Sequence, residues 1–298
     1  MVIADAGVRG TVIEIATRGI EIATDAGHAQ LTASAGERWD DVVEAAVVRG
    51  LSGIECLSGI PGRVGATPIQ NVGAYGQEVA ETIAAVHVFD RRDGRQCVLA
   101  PSDCDFAYRD SRFKREPDRF VVLAVQFRLT PGGPPTIRYG QLRDALADDP
   151  APSLARVRQT VLQLRRSKSM VFDPTDPNHR SAGSFFTNPV VDAAVADTIA
   201  ARATAAGTID DPTKMPRYPA ATGVKLAAGW LIEAAGMRRG YGDGPVGLST
   251  RHALALVNRG TATAADVVAF ARHVRDRVHD TFGVRLVPEP VFVGLEPL

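Results

Sequence analysis

Ser184 lies in SAGSFFTNP (181–189), behind Ala182-Gly183 and ahead of two phenylalanines, so its hydroxyl is expected to project from an apolar wall. No GxSxG turn surrounds it and no ordered Asp and His accompany it, so a hydrolytic triad is unsupported. Two readings stay open: a proton donor to a strongly basic carbon, or a plain strand serine. Arg109 follows Tyr108 in FAYRDSRFK (106–114), where a guanidinium can clamp a carboxylate with two parallel hydrogen bonds, or else belong to a salt-bridged loop. Glu289 stands between Pro288 and Pro290 in an apolar stretch, VPEPVFVG, where full solvation of a carboxylate is not expected. Lys168, Lys225, Tyr139 and Tyr218 are residues of the type that hold phosphate, and each alone fits a surface or core position equally well.

Residues 59–76, GIPGRVGATPIQNVGAYG, hold five glycines, two prolines and one charge, Arg63. Neither helical nor strand periodicity fits them. Glycine costs backbone entropy and contributes no side chain, so its clustering suits a backbone with something large against it, such as a pyrophosphate, or a tight structural loop. The segment is neither a GxGxxG turn nor a Walker loop, since no GK[ST] occurs in the chain.

The elements that must position these residues read as mixed α and β. Short strand-like pieces at TVIEIAT and AQLTASA lead to a helix with Trp39, Val42, Val43, Ala46 and Val47 on one face, stopped by Gly50. Strands are predicted at 83–89, 96–100 and 120–129. Beyond Pro150 the pattern turns helical. Ser153 caps a face of Leu154, Val157, Val161 and Leu164, and further helices are predicted at 190–207, 224–235 and after Thr263. Strands are predicted at 253–258 and 285–294. Lys plus Arg equals Asp plus Glu at 34 each, which argues against a nucleic-acid or anionic-membrane partner. Three cysteines without CxxC spacing point to a reducing, cytoplasmic setting and to no zinc site. The longest apolar runs are strand-length, too short to span a bilayer.

Taken in order, GIPGRVGATPIQNVGAYG, AYRDSRFK, GSFFTNPVV, VKLAAGWLIEAAG, LSTRHALALVNRG and PEPVFVG resemble the UDP-N-acetylenolpyruvoylglucosamine reductase family over about residues 10–294. The resemblance implies an α+β fold: an FAD-binding mixed α/β domain over 1–150, a smaller α+β substrate domain over 151–284, and a C-terminal strand, 285–298, returning to the FAD region. It implies that FAD is held by Pro61, Gly62, Gly65, Ala66, Thr67, Gln70, Asn71, Gly73 and Ala74. It implies, further, that hydride passes from NADPH to the flavin and on to the methylene carbon of UDP-N-acetylglucosamine enolpyruvate. By the same resemblance, Ser184 matches the general acid that protonates the α-carbon, and Arg109, with Glu289 if protonated, matches the residues that stabilise the enolate-like charge. Tyr75, Tyr108, Tyr139, Lys168, Asn188, Tyr218, Lys225 and His252 fall where the family holds substrate, and a monomer is expected. The YGQL stretch at 139–142 resembles the subclass with a tyrosine-bearing substrate loop.

Family members carry several dozen residues before the point matching Met1, so a chain starting here is expected to expose an apolar edge at Val2-Ile3 and to leave the strand 285–294 without a partner. Such a chain is expected to be flavin-poor and prone to aggregation. The alternative is a flavin-free relative that binds sugar nucleotides; a second is another dehydrogenase of the same flavin fold, disfavoured by the GSFF and PEP elements.

Overall fold

A computed structural model of the chain describes residues 1–25 and 27–296, in two compact units: residues 13–171, and residues 1–12 with 172–298.

The 13–171 unit is built on an antiparallel sheet. Its strands are β1 (Ile20–Asp25), β2 (His28–Ser34), β3 (Ile83–Asp90), β4 (Arg95–Leu99) and β5 (Phe120–Pro131), in the order β1-β2-β5-β3-β4, with Leu51–Ser52 adding to β5. Alternation sets its inner face: Ala29, Leu31 and Ala33 of β2 are fully buried beside Val125 and Phe127 of β5. Helix α1 (Trp39–Val48) lays all five residues of its predicted apolar stripe on this core, and the Trp39 ring meets Phe127 at 5.6 Å. Helix α2 (Leu154–Ser167) begins at Ser153, whose Oγ accepts from the Arg156 N–H at 3.2 Å. Thus the 154–167 helix, expected beyond a boundary near 150, is compact with the first unit, and the chain divides at 171/172. The stretch TVIEIAT lies outside the sheet; the strand instead begins at Ile20.

The second unit has two three-stranded antiparallel sheets. One runs β6 (Ser181–Ser184), β11 (Ala255–Asn258), β10 (Val246–Leu248); the other runs β7 (Val190–Val191), β9 (Gly223–Leu226), β8 (Arg217–Ala220). Helices α3 (Ala193–Ala205), α4 (Ala228–Ala234) and α5 (Ala264–Phe282) cover a core that contains Phe185, Phe186, Ile199, Leu231 and Val274. Helix α5 starts in a capping box between Thr263 and Asp266 and stops at Gly283, φ +74°. The helix predicted over 224–235 is shorter at its start, because Gly223–Leu226 pairs as a hairpin with Arg217–Ala220.

Two expectations for the chain's ends are corrected here. Residues 285–294 form no continuous strand: Pro288 and Pro290 lack N–H donors, and pairing is limited to a Phe186–Pro288 bridge and the two-residue strand Phe292–Val293. Nor is that strand orphaned. Phe292–Val293 pairs in parallel with Val2–Ile3; the Val2 N–H donates to Val291 O and the Ala4 N–H to Val293 O, both at 2.9 Å. Val2 is buried in the core of the unit, so only Ile3 of that edge remains exposed.

Candidate active site

Each unit carries candidate residues. In the 13–171 unit, the glycine loop leaves α1 with its inner side pinned. The Val64 N–H donates to Glu37 O and the Gly65 N–H to Ala35 O, both at 2.9 Å, while Gly62 O accepts from the Trp39 N–H at 3.0 Å. A Cβ on Gly65 would stand 2.8 Å from Ala35 Cβ, so the close approach requires glycine. The outer side is bare. Pro61, Gly62 and Ala66 are exposed, Gly62 holds φ +115°, and nothing lies within 4 Å of where its Cβ would be. An open backbone of this kind, with only small side chains at Pro61 and Ala66 and none at Gly62, fits the flat, anionic FAD molecule.

Two loop residues expected to hold the cofactor have side chains engaged internally. The Thr67 hydroxyl donates to Val64 O at 2.8 Å. The Asn71 amide donates to Glu78 Oε2 at 2.8 Å and Ala107 O at 3.0 Å, and accepts from the Ala80 N–H at 3.1 Å. These two pin the loop's shape; Gln70, Gly73 and Ala74 are half-buried along it.

The loop is also where Arg109 lies. Its guanidinium donates to Asn71 O at 3.3 Å and to Gly73 O, and it sits 5.2 Å from the Tyr108 ring centre. Arg109 itself has φ +54°. Beyond Gly73 the hairpin tip carries Tyr75, which meets Tyr139 edge-to-face at 5.5 Å. Lys168 Nζ lies 5.8 Å from the Tyr75 ring centre and donates to Gln141 Oε1 at 2.6 Å. Burial, and then the positive charge of Arg165, lower the Lys168 pKa; burial pushes the Tyr75 hydroxyl up to about 12.

In the other unit, Ser184 and Glu289 lie on adjoining segments. Ser184 ends β6 opposite Ala255, and the next residue's carbonyl, Phe185 O, accepts from the Glu289 N–H at 2.8 Å. Both side chains are half-buried. His252 precedes β11, its N–H donating to the buried Ser249 Oγ at 3.3 Å. Further along, Tyr218 and Lys225 face each other across β8 and β9, and Val190 pairs with Lys225 from the other side. Asn188 Oδ1 accepts from the Ala228 N–H at 2.9 Å and so caps α4. Thus Ser184, His252 and Glu289 form one group, and Asn188, Tyr218 and Lys225 another.

Sequence reasoning passed over Glu55, Gln77 and Arg165, all buried polar residues beside the tyrosine pair. A lone charge inside the apolar run GLSGIECLSGI was the available signal for Glu55. Among the described residues no group of His, Cys, Asp and Glu could hold a metal ion, and no helix is long and apolar enough to cross a membrane.

A profile for an FAD binding domain matches residues 1–100, and the bare glycine loop lies within it. The fold and site thus define an FAD-binding protein with a separate C-terminal unit. That unit matches, over residues 174–293, the profile described as UDP-N-acetylenolpyruvoylglucosamine reductase, C-terminal domain. Similarity extends through the chain: it is 50% identical to the UDP-N-acetylenolpyruvoylglucosamine reductase of Streptomyces coelicolor, over 99% of this chain and 77% of that protein. With the protein of the same name from Nocardia farcinica it is 51% identical, over 99% and 76%. The crystal structure of the reductase from Thermus caldophilus superposes with a TM-score of 0.56 at 25% identity, covering 87% of this chain and 71% of that one. The chain belongs to the UDP-N-acetylenolpyruvoylglucosamine reductase family.

Proposed function

We propose that this chain reduces UDP-N-acetylglucosamine enolpyruvate to UDP-N-acetylmuramate, at the expense of NADPH, in the synthesis of peptidoglycan precursors. The observation that carries this reading is the near-full-length identity to reductases of that name, joined to the Ser184–Glu289 register in the matched C-terminal unit. When bound, FAD would supply the two-electron hydride chemistry that links NADPH to the enolpyruvyl methylene carbon. The chain's residues do the rest. The outer face of the loop at Pro61, Gly62 and Ala66 holds the cofactor by backbone, with Gly65, Gln70, Gly73 and Ala74 along it and Thr67 and Asn71 keeping its shape. Arg109, with Tyr108 beside it, meets the substrate carboxylate, on which negative charge grows as hydride arrives. Glu289, beside Ser184 in the other unit, is assigned by the family resemblance to stabilising the enolate-like charge. Ser184 gives its proton to the α-carbon; a hydroxyl is a weak acid, but an enolate carbon is a strong base. Tyr75, Tyr139 and Lys168, with Asn188, Tyr218, Lys225 and His252, hold the uridine diphosphate sugar. The enzyme works in the cytoplasm as a monomer.

Stopped-flow measurement of the two half-reactions tests the assignment. Ser184→Ala is expected to leave flavin reduction by NADPH near the parent rate and to slow reoxidation by the enolpyruvyl substrate at least about a hundredfold, the usual range for a lost general acid. Equal losses in both halves would remove Ser184 from the proton-donor role.

A further inference from the structure

Glu55 is fully buried, and what it binds are N–H groups rather than a cation. Its Oε2 accepts from the Gly53 N–H at 2.7 Å; its Oε1 accepts from Gln77 Nε2 at 3.0 Å and from the Thr136 N–H at 2.7 Å. Gln77, itself 2% exposed, completes the tie by accepting the Cys56 N–H at 2.8 Å, and the Cys56 thiol donates to Thr136 O at 2.9 Å. Three stretches distant in sequence are thereby fixed together: 53–56, the strand after the hairpin tip, and the segment entering Tyr139. A carboxylate's two oxygens offer acceptors to all three donors, whereas an amide in the same place must set its own N–H against one of them.

The tie leads straight to two candidate residues. Gln77 closes the hairpin whose tip holds Tyr75 at φ +50°, and Thr136 lies three residues before Tyr139. Between them, the Gly76 backbone packs so tightly on Arg138 that an added Cβ would lie 3.0 Å from Arg138 Cβ. Glu55 thus bonds the segments on both sides of the edge-to-face contact between the two tyrosines.

We propose that Glu55 is a positioning residue for the sugar-nucleotide subsite, fixing Tyr75 against Tyr139 and so setting substrate affinity without entering the proton or hydride chemistry. This rests on the functional reading above, which places substrate against those tyrosines. The charged or titratable neighbours of the tie are Cys56, Arg138 and Glu81, which every variant below retains.

The test uses the full chain with FAD, and two substitutions. Glu55→Gln is expected to raise KM for UDP-N-acetylglucosamine enolpyruvate about tenfold while kcat stays within about threefold, the scale of one mismatched buried hydrogen bond. Gln77→Glu places a second carboxylate against Glu55. Its KM defect is expected to shrink as pH falls from about 8 to about 6, where the pair shares one proton, a pH dependence that Glu55→Gln lacks. A readout independent of turnover is tyrosinate absorbance. Burial pushes the Tyr75 hydroxyl up to about 12, so the difference between the parent and Tyr75→Phe is expected to titrate there; in the Glu55→Gln background the same difference is expected to move toward the ordinary value near 10. Unchanged KM in both variants, a fall in kcat and flavin content at constant KM, or a Tyr75 titration still near 12 would each overturn the proposal. If Glu55→Gln does not fold, Gln77→Glu read at the two pH values and by Tyr75 titration decides. If the parent chain does not turn over this substrate, the functional reading fails, and the titration alone still decides whether Glu55 holds Tyr75 in place.

Discussion

Arg109 occupies left-handed backbone and directs its guanidinium at two carbonyls of the glycine loop, so its planar fork is already held beside the proposed cofactor face. A lysine ammonium is a point charge and cannot grip a carboxylate with two parallel bonds. Arg109→Lys is therefore expected to lower kcat/KM more than tenfold, a barrier increase above about 1.4 kcal/mol, as read by steady-state kinetics. Retention of more than about a tenth of parent activity would count against the clamp. Asn71 makes a different prediction. Its buried amide makes three hydrogen bonds and its φ of +45° suits asparagine, so Asn71→Ala is expected to cost about 2–3 kcal/mol in chemical denaturation, stranding buried partners. The sequence made Asn71 legible as an important residue but not as a pin. In a loop without periodicity, residue type and spacing do not say which way a side chain turns. Glu55 was illegible for the same reason: its partners come from Gly53, Gln77 and Thr136, and no local pattern joins those positions.

At the scale of elements, the glycine loop's entry is held by α1 and α2 together. Asp40 of α1 accepts the Gly59 N–H at 2.6 Å and pairs with both ends of the Arg158 guanidinium, at 2.6 and 2.9 Å. Burial opposes its ionisation, but the Arg158 hydrogen bonds and the Gly59 N–H prevail and hold its pKa below the ordinary 3.8. A depressed carboxylate pKa stabilises the fold above the unfolded-state value and loses that contribution as pH falls through the folded one. Asp40→Asn is thus expected to cost about 1–3 kcal/mol near pH 7, with the gap to the parent narrowing below about pH 4 in urea melts. A gap constant with pH would assign the loss to packing instead. Helices α1 and α2 were legible because their apolar stripes and caps are local signals. The strand predicted over 285–294 was misread because its apolar residues suit a strand while its two prolines remove ladder donors, and only Phe292–Val293 finds a partner. Likewise 224–235 carried a helical pattern whose first residues Gly223–Leu226 take up as a hairpin, a choice made by pairing across the turn rather than by propensity.

At the scale of the molecule, the chain starts one unit, builds the other whole, and returns to finish the first. Residues 1–5 are structural in that first unit: Val2 is buried, two of their N–H groups bond residues 291–293, and Asp5 Oδ2 accepts the Ala264 N–H at 2.9 Å at the start of α5. Removing residues 1–5 is expected to accelerate hydrogen exchange at 264–268 and 291–293 while exchange in the 83–131 sheet stays at the parent rate. Uniform acceleration, or none, would contradict this division. Fold class and the order of motifs were legible from the sequence; this interleaving was not, since a two-residue strand such as Val2–Ile3 has no pattern of its own. The parallel pair it forms has a consequence for the time course of synthesis. At about 5–20 residues per second, the strand Val2–Ile3 leaves the ribosome roughly 15–60 seconds before Phe292–Val293 exists to receive it. The 13–171 unit has all its residues only once more than half of that interval has passed, and can fold in what remains, while Val2–Ile3 still lacks its strand partner. The parallel pair is thus among the last contacts that its own unit can make as the chain is synthesised.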